Sequence, residues 1–294
     1  MNKVSIIGFG RFGAMLHALL LKGFEVDVFD KNPINNIEIN EVSFEDALKN
    51  ETIFIAVPIR DFEELIINIS DKIESGKTLI DVCSVKVFPK KVMKDNLPTQ
   101  TDIIATHPLF GPDSLKDSGS VMTMESVRNN FERYDFWKNY FESQNITIEE
   151  ISAEEHDMMA ARSQGLTHFV GRVIDDFGTN QTRIDTEGYK ALHKLVSQTC
   201  NDTWELFEDI QNFNPYTEKM ISELNGSFKE TTKTLPDKSS FSSLNTFGAF
   251  SDNRGNIGKY ECDGIREAFK NGKLINLNIL CEIRGLICRY FLEP

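Results

Sequence analysis

The hexapeptide Gly8-Phe9-Gly10-Arg11-Phe12-Gly13 limits this chain more than any other feature. It follows a short β-branched run at residues 3–8 and precedes an apolar helical pattern of Met15, Leu16, Leu19, Leu20 and Leu21, which Gly23 ends. Strand, G-x-G-x-x-G and helix in that order form a dinucleotide-binding arrangement. Gly8 permits the tight turn, Gly10 lets the backbone approach a pyrophosphate, and Gly13 lets the helix pack close to the strand. The N-terminus of the helix then offers free N–H groups and a favourable dipole to the phosphates. A second run at 24–29 stops at Asp30, where a carboxylate accepts hydrogen bonds from ribose hydroxyls and repels a 2′-phosphate. Gly8, Gly10, Arg11, Phe12, Gly13 and Asp30 are therefore the candidate cofactor residues, with NAD favoured over NADP. Lys31, next in sequence, works against that preference because its cation tolerates a 2′-phosphate.

Further strand-like runs fall at 52–57, 78–82 and 102–105, with a helical pattern around 60–71 between the first two. Strands alternating with helices predict an α/β fold: a Rossmann-type, doubly wound parallel sheet covered on both faces. A last strand is expected at 146–151. Ser152-Ala153-Glu154-Glu155 is a capping-box pattern that opens a helix reaching about 178, and helical patterns recur at 186–197 and 202–224. These changes divide the chain into a dinucleotide-binding domain at 1–150, a mostly α-helical domain at 151–225, and an extension at 226–294. The extension holds a linker-like stretch at 238–243 and some returning apolar pattern at 261–292, with no motif.

Composition excludes several classes. Lys and Arg number 32 against 45 Asp and Glu, a net charge of −13, so the chain has no bulk attraction for nucleic-acid phosphates. A local pair of cations still suffices for a small anionic substrate. The five cysteines, at 83, 200, 262, 281 and 288, include no C-x-x-C pair, which leaves a disulfide framework or zinc site unsupported. No metal is expected. No apolar run is long enough to span a bilayer, and the N-terminus enters a strand at once; a reduced, cytoplasmic protein without membrane contact is the expectation.

Five histidines, at 17, 107, 156, 168 and 193, carry most of the remaining chemistry. His17 falls within the first helix and reads as structural. His107 lies in Thr106-His107-Pro108-Leu109-Phe110-Gly111-Pro112-Asp113-Ser114, just after the run at 102–105. That is the carboxyl edge, where open α/β sheets bind ligands. A loop imidazole between prolines suits a general base near neutral pH. Asp81-Val82-Cys83-Ser84-Val85-Lys86 ends an earlier strand in the same way. On the helix at 153–178, His156, Ala160, Gln164 and His168 recur at steps of four and form one polar stripe, while Asp157, Arg162 and Asp175 supply a charged face elsewhere. Lys190 and Lys194, four apart on a later helix, repel unless an anion lies near them, which suits a dicarboxylate. Two solvated surface lysines are the commoner reading of such a pair.

Taken together, the glycine loop, Asp81–Lys86, THPLFGPDS at 106–114, EEHDMMAARSQGLTHFVGR at 154–172 and QTCNDTWELF at 198–207 resemble the prephenate/arogenate dehydrogenase family, nearest to its plant-type arogenate dehydrogenases. The resemblance covers about residues 1–224. It implies a Rossmann domain, a helical domain that forms a homodimer, and oxidative decarboxylation of prephenate or arogenate by a nicotinamide cofactor in tyrosine biosynthesis. It also implies that His107 takes the proton of the ring C4 hydroxyl, that Ser84 is its hydrogen-bonding neighbour, and that Asp113, Gln164, His168, Lys190 and Lys194 face the substrate. Three departures stand out. Lys194 occupies a position where many members carry arginine, and lysine lacks the planar fork that grips a carboxylate. Asp30 favours NAD where plant-type members favour NADP. Residues 225–294 match nothing in the family pattern. Two other readings compete: another NAD(P)-dependent oxidoreductase sharing only the Rossmann half, such as an imine reductase, and a catalytically inactive nucleotide-binding regulatory protein.

Overall fold

A computed structural model describes residues 3–111 and 119–235. The chain separates into two compact units, Met1–Ile221 and Ser222–Pro294. The first carries the sheet and most of the helices. The second is described only at residues 222–235.

The sheet has eight strands: β1 (Lys3–Ile7), β2 (Glu25–Phe29), β3 (Asn40–Glu41), β4 (Thr52–Ile55), β5 (Thr78–Asp81), β6 (Asp102–Pro108), β7 (Ser120–Arg128) and β8 (Ile146–Glu150). Their order is β3-β2-β1-β4-β5-β6-β7-β8. Every pairing is parallel except β6 with β7, which is antiparallel. The strand order reverses between β1 and β4, and such a switch point opens a crevice beyond the carboxyl ends of the strands. The doubly wound Rossmann-type sheet is thus present, with one antiparallel step added to the parallel arrangement expected.

The central strands are hydrophobic on both faces because helices cover both. Successive side chains serve opposite cores: Ile6, Phe54, Ile80 and Ile104 enter one, and Ile7, Ile53, Ile55, Leu79 and Ile103 the other. Helices α1 (Arg11–Leu20), α2 (Phe44–Ala47), α3 (Ile59–Ile69), α4 (Val87–Asn96) and α5 (Tyr134–Ser143) lie between the strands in sequence. The first core is closed by Trp137 and Phe141 of α5 against Phe24 and Phe54, with the Trp137 and Phe54 rings 4.9 Å apart and nearly perpendicular. The second is closed by Phe62, Ile66 and Ile69 of α3 and by Val92 and Met93 of α4.

After β8 come α6 (Ala153–Ala160), a π-helical turn at Ala161–Gly165, α7 (Leu166–Phe177), α8 (Glu187–Cys200), α9 (Trp204–Phe213) and α10 (Thr217–Lys233). The cap at Ser152 is as expected: its hydroxyl accepts from the Glu155 N–H at 3.2 Å. Thr186 and Thr203 cap α8 and α9 in the same way. The single straight helix expected from 152 to 178 is instead interrupted by the π turn. Gln211 donates to the Gly165 carbonyl at this wider turn, at 3.0 Å. Helix α9 is tied to the sheet domain by Arg60, whose guanidinium donates to Asp209 at 2.8 Å and to the Glu205 carbonyl at 2.7 Å, and by Phe88 packed on Phe213. No described helix is long and apolar enough to cross a membrane.

Candidate active site

The glycine loop is built from backbone. Gly8 has φ +102°, a conformation open to glycine, and a Cβ there would lie 2.4 Å from the Ala56 carbonyl oxygen. A Cβ on Gly13 would lie 2.2 Å from the Gly8 carbonyl oxygen, so α1 reaches the loop only because position 13 has no side chain. Gly10 is different: it is exposed, and nothing lies within 4 Å of where its Cβ would be. It is also the N-cap of α1 and provides no side-chain cap. The first turn, with Arg11 and Phe12, therefore directs backbone N–H groups to an open surface, as a pyrophosphate requires. Asp30 buttresses this loop. Its Oδ2 accepts from the Phe9 N–H at 2.6 Å and its Oδ1 from the Asn32 N–H at 2.8 Å. Lys31, the residue that weakened the preference for NAD, is paired with Asp61 at 3.0 Å.

Three strands along the same edge lies His107. It is not on a loop: β6 continues through Pro108, and His107 pairs with Thr123 of β7. It is buried, with 4% of its surface exposed. The antiparallel neighbour accounts for this, since β7 carries the strand beyond the point where the β-branched run ends. Its Nδ1 lies 2.8 Å from Nε2 of His156, whose Nδ1 lies 2.8 Å from Oδ1 of Asp157. Contrary to the charged face expected from sequence, Asp157 does not lie at the surface. It is fully buried at the N-terminus of α4, where Oδ1 accepts from the Lys86 N–H at 2.7 Å and Oδ2 from the Val87 N–H at 2.9 Å. An anion is favoured there by the helix dipole. Asn214, just after α9, holds the Asp157 carbonyl at 2.8 Å.

Beneath this line sits a second buried pair. The Lys86 ammonium is bonded to Asp81 Oδ1 and to the Thr106 carbonyl, and Thr106 Oγ1 donates to the Asp81 carbonyl at 2.6 Å. Burial raises the Asp81 carboxyl above the usual range, against the opposing pull of Lys86. Burial likewise pushes the Cys83 thiol well up. Burial, with smaller contributions from the His156 ring and the Lys86 ammonium, holds the His107 imidazole well below its ordinary value of 6.5. A neutral imidazole at the carboxyl edge of the sheet is suited to accept a proton.

The remaining expected residues divide. Ser84 is half-buried on the loop after β5 and makes no side-chain hydrogen bond among the described residues; the neighbour bonded to His107 is His156. Gln164 lies in the π turn and His168 in the first turn of α7. Gln164 Oε1 and His168 Nδ1 are both buried and have no hydrogen-bond partner. Burial lowers the His168 imidazole, with Arg172 acting in the same direction and Asp202 against it. Lys190 is exposed and paired with Glu187 at 2.6 Å, and Lys194, also exposed, makes no ion pair with any described residue. Asp113 lies outside the described residues. The sequence places the Asp81–Lys86 segment at the sheet edge and offers Asp157 as an acidic pocket residue, but it does not reveal the buried contacts of Asp157, Lys86 and Asp81. The adjacency of His156 and Asp157, and the return of the chain to Lys86 five residues after Asp81, were the available signals. No group of His, Cys, Asp and Glu able to hold a metal occurs among the described residues.

The chain is similar to known proteins over most of its length. The family model for the nucleotide-binding domain of prephenate dehydrogenase matches residues 28–132, and that for a TYRAAT1-like C-terminal domain matches residues 173–246. Arogenate dehydrogenase 2, chloroplastic, of Arabidopsis thaliana is 30% identical over 249 residues, which cover 79% of this chain and 70% of that protein. Arogenate dehydrogenase 1, chloroplastic, of the same plant is 30% identical over 248 residues, covering 79% of this chain and 39% of that protein. Among solved structures, prephenate dehydrogenase from A. aeolicus with hydroxyphenyl propionate and NAD+ shares the fold. Its TM-score is 0.65 at 20% identity, covering 79% of this chain and 90% of that one. Synechocystis arogenate dehydrogenase does so at a TM-score of 0.60 and 14% identity, over 82% and 93%. With a relative 30% identical over 79% of this chain and 70% of its own length, and the nucleotide-binding model matched across residues 28–132, the protein belongs to the prephenate/arogenate dehydrogenase family.

Proposed function

We propose that this chain oxidatively decarboxylates prephenate or arogenate, giving 4-hydroxyphenylpyruvate or tyrosine, with NAD as the preferred cofactor over NADP. The observation that carries the reading is the placement of His107 on the carboxyl edge of the sheet that carries the glycine loop. β6 lies three strand positions from β1, roughly 14 Å at about 4.8 Å per strand, a span that an extended dinucleotide bridges. Gly8, Gly10, Arg11, Phe12 and Gly13 would hold the pyrophosphate and Asp30 the ribose. Nicotinamide, when bound, supplies the hydride acceptor.

His107 takes the hydroxyl proton of ring C4 at Nε2 as the C4–H bond gives up its hydride. The ketone so formed draws the electrons of the C1–carboxylate bond into the ring, and carbon dioxide leaves. His107 then returns its proton to the phenolic oxygen. The residues' work is positioning and charge placement. Ser84 is proposed to bond the substrate hydroxyl. Gln164 and His168, with their unpartnered atoms, are proposed to face the substrate, and Asp113, Lys190 and Lys194 to bind its ionic ends. The helices within 151–224 are proposed to form a homodimer, and the protein to work in the cytoplasm, with no nucleic-acid or membrane partner.

Purified protein with NAD or NADP and either substrate, followed by the absorbance of reduced nicotinamide, tests the reading. Turnover of arogenate or prephenate supports it. Tight cofactor binding without turnover of either would replace it with the regulatory reading.

A further inference from the structure

His107 is useful as a base only in one of its two neutral tautomers. Nε2 must carry the lone pair, which requires the proton on Nδ1. A free side chain prefers the other tautomer, so something must hold the rarer one in place. The assignment follows from the far end of the line. Asp157 spends Oδ1 on the Lys86 N–H and Oδ2 on the Val87 N–H, two donors fixed by the start of α4. A carboxylate in that position accepts. His156 Nδ1, 2.8 Å from Oδ1, is therefore the donor. When the His156 ring carries a single proton, donating it from Nδ1 leaves Nε2 as an acceptor. His107 Nδ1, 2.8 Å away, must then donate, and Nε2 of His107 is left with its lone pair.

We infer that His156 and Asp157 are positioning residues, which fix the tautomer and ring orientation of His107 so that Nε2 is presented to the substrate hydroxyl. The inference rests on the proposed role of His107. In this role both act through His107 rather than on the substrate. When His107 gains a proton, its Nδ1–H remains donated to His156, so the same contact also supports the imidazolium. The line costs little in mobility: His107 and His156 are buried at 4% and 3% exposure, and Asp157 is anchored by backbone donors from a different segment. A conformational change in α6 or at the start of α4 would reach the base through these contacts.

The test compares His156→Leu with His156→Gln. Leucine removes the acceptor, whereas glutamine can place an amide oxygen near where Nε2 stood. Leucine should lower kcat by about 10- to 100-fold, the usual worth of a group that orients a working imidazole. KM and NAD affinity should stay within a factor of about three, since neither ligand is contacted. Glutamine should restore most of the lost turnover. Nitrogen-15 NMR of the wild-type imidazoles should show His107 protonated on Nδ1, with His156→Leu moving the proton to Nε2. If wild-type His107 carries its proton on Nε2, or if leucine and glutamine are equally impaired, the inference is overturned. If His156→Leu does not fold, the glutamine variant and the wild-type spectrum still decide. His107→Asn separates the two ideas: unchanged turnover in that variant would sink the proposed base itself, whereas loss there with full activity in His156→Leu sinks the relay alone.

Discussion

The glycine loop and the His107 cluster sit on one sheet edge but are made by opposite means. The loop is contiguous, residues 8–13, and its geometry comes from what is missing: a Cβ at Gly8 or Gly13 would strike backbone. The cluster is assembled from four distant segments, 81–86, 106–107, 156–157 and 214, and works through side-chain donors and acceptors. A backbone site needs only small residues and tolerates change around it. A side-chain site fails if any one partner is lost, because each partner is buried and the group left behind has no water to turn to.

The largest effect should come from His107. Replacing it with asparagine should lower kcat by about 10²–10⁴, the range for general acid–base catalysis, while NAD affinity, proposed to be set at the loop, stays unchanged. Because burial holds His107 below its ordinary value, wild-type kcat/KM should be flat through neutral pH and fall only well below pH 6.5, as the base gains a proton. That acid limb should be absent from the variant. Loss of NAD binding with turnover kept at saturation would make His107 a cofactor contact and break the division between the two regions.

Lys86→Met should act next. It leaves Asp81 buried with its charge uncompensated, which costs about 3–5 kcal/mol in urea unfolding. The deficit should shrink as pH falls, because the Asp81 carboxyl, already raised by burial, then takes up a proton. Asp81→Leu combined with Lys86→Met should recover most of the loss. A single variant as stable as the wild type would mean that this pair is not what supports His107. On the other side of the comparison, Gly13→Ala should cost about 1–3 kcal/mol and weaken NAD, since its methyl group meets the Gly8 carbonyl. Unchanged stability would show a loop more pliable than its close contacts imply.

The same contrast governs what could be read in advance. The loop, Asp30 and strands β1, β2, β4, β5 and β8 were legible because local pattern determines them. β7 was missed: Ser120–Arg128 mixes methionine, serine and glutamate, and its strand character comes from pairing with β6. α5 was missed because Tyr134–Ser143 is rich in aromatic residues of modest helix propensity, which serve the core. α4 was missed as well. It begins Val87-Phe88-Pro89 with no side-chain cap of its own, and its start is held by Asp157 from far along the chain. His107 was found from its place after a strand. His156 was seen only as one step of a regular stripe, and Asp157 as surface charge. A helical wheel cannot show a π turn, nor a carboxylate that leaves its own helix to cap another.

The smallest predicted effect tests the loop's one side-chain contribution. Asp30 holds the Phe9 N–H, and in the proposed cofactor site it has a second role, presenting carboxylate charge where a 2′-phosphate would sit. Asp30→Ser should weaken both cofactors through the first role, a loss that cancels in their ratio. The second role does not cancel. Removing the charge should lower the preference for NAD over NADP by about tenfold in kcat/KM, or ~1.4 kcal/mol, the scale of one charge-assisted hydrogen bond. Lys31 should not reverse the preference in the wild type, because its ammonium is engaged by Asp61. That pair is exposed, and such pairs contribute at most about 1 kcal/mol, so Asp61→Asn should favour NADP by less than Asp30→Ser does. If the ratio of the two cofactors does not move in Asp30→Ser while both affinities fall, Asp30 is only a brace for the loop, and the site at residues 8–13 is a backbone site throughout.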